Sequence, residues 1–305
     1  MGGGLQNSGE RGMTKCFLCP RNCGSDRENG ERGFCGLGAL PVVARAAAHF
    51  GEEPCITGCG GSGTVFFSGC NMHCVFCQNR EISFEGHGKE ISVTRLAEIF
   101  SELEDSGVHN LNLVTATHFA DKVVEALKLA KPKIPVVWNS TGYESVETLK
   151  MLEGFVQVYM PDLKYSSSDA ALRYSGARNY PFVAKQAILE MYRQTGPFVM
   201  DDEGLLKSGV LIRHLILPDR LDDTFDVIDW VTECFPKNAV LFSLMSQFVP
   251  LADKEKYPEL DRLLTKEEYE RAQSYLSLSG IKNGYFQELS SATDELIPDF
   301  DLTGV

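Results

Sequence analysis

The chain has 305 residues, 43% hydrophobic and 23% charged, an ordinary globular composition with ample material for a large core. A net charge of −13 with no basic cluster argues against an extended nucleic-acid groove, which needs a local excess of Lys and Arg. No run of about eighteen apolar residues offers a transmembrane helix.

Residues 1–10 lack the apolar core of a secretion signal and read as a mobile leader; Gly2 alone makes no acylation site. Of the ten cysteines, nine lie within residues 16–77 and only Cys234 lies outside. Bunching at one end of a large chain favours metal binding over a disulfide framework and points to a reducing cytoplasm. The first set, Cys16, Cys19, Cys23 and Cys35, sits in a glycine-rich segment poor in large apolar residues. Four thiolates on one metal centre would supply the stability such a segment lacks, as zinc or as an iron–sulfur cluster. Residues 40–50 read as extended because of Pro41 and Val42-Val43. Gly51-Glu52-Glu53-Pro54 then turns the chain. Cys55 and Cys59 complete no four-ligand set nearby and read as unligated, with a place beside a metal as the alternative.

From residue 64 strands alternate with helices. Strands are expected at 64–69, 110–115, 134–139, 156–160, 210–217 and 239–244, and helices from Ser92 to about 107, then at 119–130, 144–153, 168–195 and 223–235. Such alternation argues a parallel sheet, and six units suggest a partial (β/α)6 barrel in an α/β fold. A charged amphipathic helix follows from Thr265 to about Leu278, with a final strand within 283–289 and a tail at 290–305 packing over one end of the barrel.

The chemistry centres on Cys70, Cys74 and Cys77, spaced C-x3-C-x2-C on the loop leaving the apolar run Thr64-Val65-Phe66-Phe67. Three thiolates this close can ligate three irons of a cubane cluster and leave the fourth open, whereas structural zinc wants four protein ligands. With the aromatic Phe76 before the third cysteine, the stretch resembles the radical S-adenosylmethionine (SAM) superfamily. The longer string from Gly63 to Cys70, with Cys77-Gln78-Asn79, resembles the homologues of pyruvate formate-lyase activating enzyme, which share the N-terminal cysteine pattern. The resemblance implies a three-quarter barrel with a [4Fe-4S] cluster on the loop after its first strand. It also implies SAM bound through its amino and carboxylate groups to the open iron, and one-electron cleavage to a 5′-deoxyadenosyl radical that abstracts hydrogen. The electron donor would be of the flavodoxin or ferredoxin type.

Functional groups of a parallel barrel gather at the C-terminal ends of its strands. The second strand ends in Thr115, Thr117 and His118, where the family often carries Gly-Gly-Glu for the SAM amino group; the threonines offer oxygen without the charge. The third ends in Asn139-Ser140, where the activating enzymes carry an acid and a threonine. The fourth ends in Asp162-Leu163-Lys164, close to those enzymes' Asp-Leu-Lys run, making Asp162 a candidate for SAM or a monovalent cation, with a helix-start cap and a surface ion pair to Lys164 as the alternative. Arg213 on the fifth strand needs an anion inside a barrel; the SAM carboxylate is its natural partner, with a salt bridge to a neighbouring strand's acid as the alternative. Ser243 and Gln247 are placed to touch adenine or substrate, Asn79 the nucleotide, and His73 reads as solvent-facing.

The expected organisation is a leader and cysteine-rich metal-binding segment at 1–60, a radical SAM partial barrel at 61–250 and a C-terminal helix and tail at 251–305. The expected activity is hydrogen abstraction from a glycine of a partner enzyme. The alternatives are radical modification of a small molecule or peptide, or a non-enzymatic iron–sulfur or zinc protein.

Overall fold

The computed structural model describes residues 15–289 and 298–305; the leader at 1–10 and the tail residues 290–297 lie outside the described residues. The chain enters through strand β1 (Val42–His49) and the single-turn helix α1 (Pro54–Thr57), and then reaches β2 (Ser62–Phe67), all six residues of which are buried. After the cysteine loop come α2 (Arg80–Ser83), β3 (Lys89–Glu90) and α3 (Val93–Asp105). Alternation follows through β4 (Leu111–Val114), α4 (Ala120–Ala130), β5 (Val136–Ser140), α5 (Val146–Leu152) and β6 (Val158–Pro161). It continues with α6 (Ser168–Ser175), α7 (Tyr180–Thr195), β7 (Val199–Met200), β8 (Leu206–Leu215), α8 (Leu221–Cys234) and β9 (Leu241–Met245). Helix α9 (Lys266–Ser279) and β10 (Gly284–Phe286) complete the series.

Strands β2, β4, β5, β6, β8, β9 and β10 are neighbours in that order and all parallel. The first six are the expected barrel strands. β1 pairs antiparallel with β2 and with β3, so β3 and β10 are the two ends of the sheet and the barrel stays partial. Continuous apolar runs such as Val136-Val137-Trp138 suit strands covered on both faces. Leu96, Ile99, Phe100 and Leu103 recur at helical spacing on α3 and are all buried. Ser92, Ser145 and Ser167 each accept the N–H three residues on, which starts α3, α5 and α6.

Two expectations are corrected. The single helix over 168–195 is two, because Gly176 takes a left-handed φ of 57° and ends α6. The fifth strand begins at Leu206, not at 210: Lys207, Ser208 and Gly209 hide its start, and the antiparallel β7 pairs with it there.

The barrel lumen below the strand ends is filled. Cys55 and Ile56 of α1 pack there against Val137, Val158, Met160, Leu211 and Leu241. The last residues run beside β1: Ala46 N–H donates to Thr303 O, Leu302 N–H to Ala44 O, and Phe300 packs on Phe66, Ile82 and Val114.

Candidate active site

Gly69 turns the chain out of β2 with φ 77°, and a Cβ there would lie 2.7 Å from the Cys35 carbonyl. Cys70 and Cys74 are buried and Cys77 is partly buried. Ser175 Oγ donates to Cys74 Sγ at 3.0 Å, and Met72 N–H to Cys70 Sγ at 3.3 Å. Burial, and after it Cys74 and Cys77, push the Cys70 thiol up to about 12. Thiolates crowded in a buried wall are stabilised by metal cations rather than by water. All ten cysteines are free. Among the described residues no three His, Cys, Asp or Glu side chains gather round one point that would hold a single ion; a cluster with one thiolate per iron does not need that. The donor set fits a [4Fe-4S] cluster. Phe76 packs edge-on to Tyr165 and Tyr174, which locks the loop. His73 is not solvent-facing: it is half-buried and stacked between Phe34 and Phe84.

The three cysteines line a cavity of about 440 Å³ that opens at the strand ends. Thr115, Asn139, Asp162, Arg213, Ser243, Gln247 and Asn79 line it as well. Register explains the convergence: Asp162 bridges to Arg213, Arg213 pairs with Ser243, and Ser243 with Tyr285, a row at one level of the sheet.

Arg213 makes three contacts: Nε to Asp162 Oδ1 at 3.0 Å, Nη1 to Glu52 Oε2 at 3.1 Å and Nη2 to Asn139 Oδ1 at 2.7 Å. Lys164 Nζ donates to Asp162 Oδ2 at 2.6 Å. Burial works against the Asp162 carboxylate, but Lys164 and Arg213 outweigh it and hold its pKa below the ordinary value. Glu52 Oε1 accepts from Asn112 Nδ2 at 2.9 Å and from Asn139 Nδ2 at 3.1 Å.

Glu52 and Glu53 are the residues that sequence reasoning missed. They read as turn residues, yet α1 sits inside the barrel and lifts both into the cavity. Two adjacent acids before a proline that opens a short helix were the available signal. Glu52 brings a carboxylate to the level of the sheet where the second and third strands end without one.

Thr115 holds φ at 59° with its N–H on Asn139 O, an uncommon conformation for a β-branched residue and one that clusters at functional sites. Thr117 and Ser140 do not line the cavity. Thr117 Oγ1 donates to Glu144 Oε1 at 2.6 Å, and Ser140 Oγ accepts from Gly142 N–H at 3.2 Å, so both side chains brace the strand ends from within. His118 is also off the cavity. Its Nε2–H donates to Ser68 O at 2.7 Å, and burial followed by Arg27 pushes its pKa down to about 3, so it is neutral.

The N-terminal cysteines sit behind the cluster loop. Cys19 and Cys35 are buried, Cys16 is partly buried and Cys23 exposed. A Cβ at Gly33 would lie 3.4 Å from both Cys23 Sγ and Cys35 Sγ, so the two sulfurs close over the one residue without a side chain. Arg21 ties this segment to the loop by donating to the carbonyls of Asn71, Met72, Ser175 and Gly176. Cys55 lies in the lumen core, and Cys59 is exposed beside His109.

A protein of Methanocaldococcus jannaschii described as uncharacterized protein MJ0674 is 33% identical over 270 residues, 85% of this chain and 73% of its own length. Among solved structures, SuiB of Streptococcus suis bound to precursor peptide SuiA is similar at 12% identity and a TM-score of 0.46 over 75% of this chain. SuiB bound to S-adenosylmethionine is similar at 14% identity and a TM-score of 0.45 over 73%. The chain spans about half the length of these SuiB chains, 49% in both cases. The family model of the radical SAM superfamily matches residues 64–231, from the cluster strand into α8. With more than half its length in that match and its cysteine loop opening on the cavity, the chain belongs to the radical SAM superfamily.

Proposed function

We propose that the protein is a radical SAM oxidoreductase that binds SAM in the cavity beside Cys70, Cys74 and Cys77 and abstracts hydrogen from a substrate. The observation that carries this is three free thiols on one wall of a cavity floored by the Arg213–Asp162–Lys164–Glu52 network. Family membership implies the [4Fe-4S] cluster and SAM. When bound, they supply one-electron cleavage of the sulfonium and hydrogen-atom abstraction. The protein's own part is to position and to exclude water. Cys70, Cys74 and Cys77 hold the cluster. Thr115, Asn139, Asp162 and Arg213 contact SAM, with Arg213 offered to its carboxylate, while Thr117 and Ser140 support them. A one-electron donor of the flavodoxin or ferredoxin type serves the cluster. Cys16, Cys19, Cys23 and Cys35 hold a second metal, zinc or iron–sulfur. Ten free cysteines suit a reducing cytoplasm, and no helix among the described residues is long and apolar enough to cross a membrane.

The hydrogen donor is a glycine of a partner enzyme or a small molecule or peptide. The Asp162-Leu163-Lys164 run favours the first, through its likeness to the activating enzymes. Reconstituted, dithionite-reduced protein is expected to release 5′-deoxyadenosine from SAM. Release no greater than from a Cys74→Ala variant sinks the enzyme reading. Deuterium transfer into 5′-deoxyadenosine from labelled partners separates the donors, and no transfer from any glycine-containing partner counts against glycyl-radical activation.

A further inference from the structure

The deep side of the cavity carries polar groups that the Arg213 network leaves unused. Glu53 lines the cavity at 9% exposure, and its Oε2 has no hydrogen-bond partner. Ser243 on β9 lines it at 1% exposure, and its Oγ also lacks one. Burial pushes the Glu53 carboxyl above its ordinary value, and the nearby Ser243 hydroxyl only partly offsets it. Tyr285 stands next to Ser243 in the parallel register and lines the same wall. Leaving two buried oxygens unsatisfied is costly, and such groups in a cavity wall point to a ligand that completes them.

Charge states what the ligand brings. Glu52 and Asp162 are paired with Arg213 and Lys164. Glu53 is the third carboxylate of the floor and forms no direct ion pair of its own among the described residues. Burial, with Glu52 beside it, pushes the Glu53 carboxyl up against the pull of Arg213, and a cation seated on it would restore its charge.

We propose that Glu53 and Ser243 form the substrate subsite, and that it takes a cationic hydrogen-bond donor, an alkylammonium or guanidinium group, with Tyr285 as its aromatic wall. The inference rests on the reading of this cavity as the place where SAM meets its substrate. It gives that substrate a chemical class: a molecule or peptide side chain ending in a basic group, long enough to pass SAM and reach the floor. A carboxylate accepting N–H bonds from a cation fixes both charge and orientation.

The test is calorimetric titration of the unreduced holoprotein, saturated with SAM, with agmatine, 1,5-pentanediol and glutarate. Agmatine is expected to bind saturably and at least tenfold tighter than the diol, and glutarate not to bind. Glu53→Gln, which keeps the shape and removes the charge, is expected to weaken agmatine by about tenfold to a hundredfold, and Ser243→Ala by about fivefold. SAM affinity is titrated in parallel. Equal agmatine affinity in Glu53→Gln and wild type overturns the proposal, as does absence of saturable agmatine binding, or an effect of Glu53→Gln confined to SAM. Should Glu53→Gln fail to fold, Glu53→Asp shortens the reach while keeping the charge and carries the same expectation. Binding is read without turnover, so failure of the radical reaction, seen as missing 5′-deoxyadenosine, is distinct from failure of this subsite.

Discussion

Asp162 carries two cations on one carboxylate, one oxygen on Arg213 and the other on Lys164. Removing its charge leaves Lys164 buried without its carboxylate and Arg213 with Glu52 alone, so Asp162→Asn is expected to cost about 3–5 kcal/mol in an anaerobic urea titration of the holoprotein. The sign with pH follows from its depressed pKa. The carboxylate's contribution is complete above the ordinary value of 3.8 and is lost as pH falls through the lower folded value. Wild type is therefore expected to lose stability more steeply than Asp162→Asn below about pH 4, and parallel profiles would contradict the pairing. Asp162 and Arg213 were legible in the sequence because each stands at a strand end, where a buried charge needs a reason. Glu52 was not, because its partner Arg213 lies far along the chain and nothing local marks a turn as folding into a barrel. Thr117 and Ser140 were read one step too far. Ser140 is the residue after the cavity-lining Asn139 on β5 and takes the opposite face, while Thr117 lies past the end of β4 where the alternation no longer holds.

At the scale of elements, the strand–helix alternation placed all six barrel strands, because period and length carry that signal directly. The short pieces escaped: β3 and β7 have two residues each, and α1 and α2 four, too few to show any period. The turn joining β2 to the cysteine loop carries the sharpest test. At Gly69 a side chain meets a left-handed φ, costing about 1–2 kcal/mol, and also meets the Cys35 carbonyl. Gly69→Ala is thus expected to push apart the two cysteine segments and to lose most of its cluster iron and its 5′-deoxyadenosine formation. Full iron content in that variant would show that the two segments move independently.

For the whole molecule, the N-terminal segment is a back wall for the cluster loop rather than an appendage, since Arg21 and Phe34 grip the loop from behind. Counting iron and zinc on Cys16→Ala beside wild type is expected to show loss of the second metal, with the signal of the Cys70 loop cluster weakened but present. An unchanged metal count would remove the second centre. Which metal such a centre would take was not legible, because four thiolates suit zinc and iron–sulfur alike. A last consequence lies in the plug that α1 drives into the barrel. Cys55 and Ile56 block the lumen beneath Glu52 and Glu53, so the deep end is reached from the mouth, past the cysteine loop. Anything seated on those carboxylates therefore shares one doorway with whatever binds beside the cysteines, and a single turn of helix makes a dead end of what an open barrel would offer as a channel.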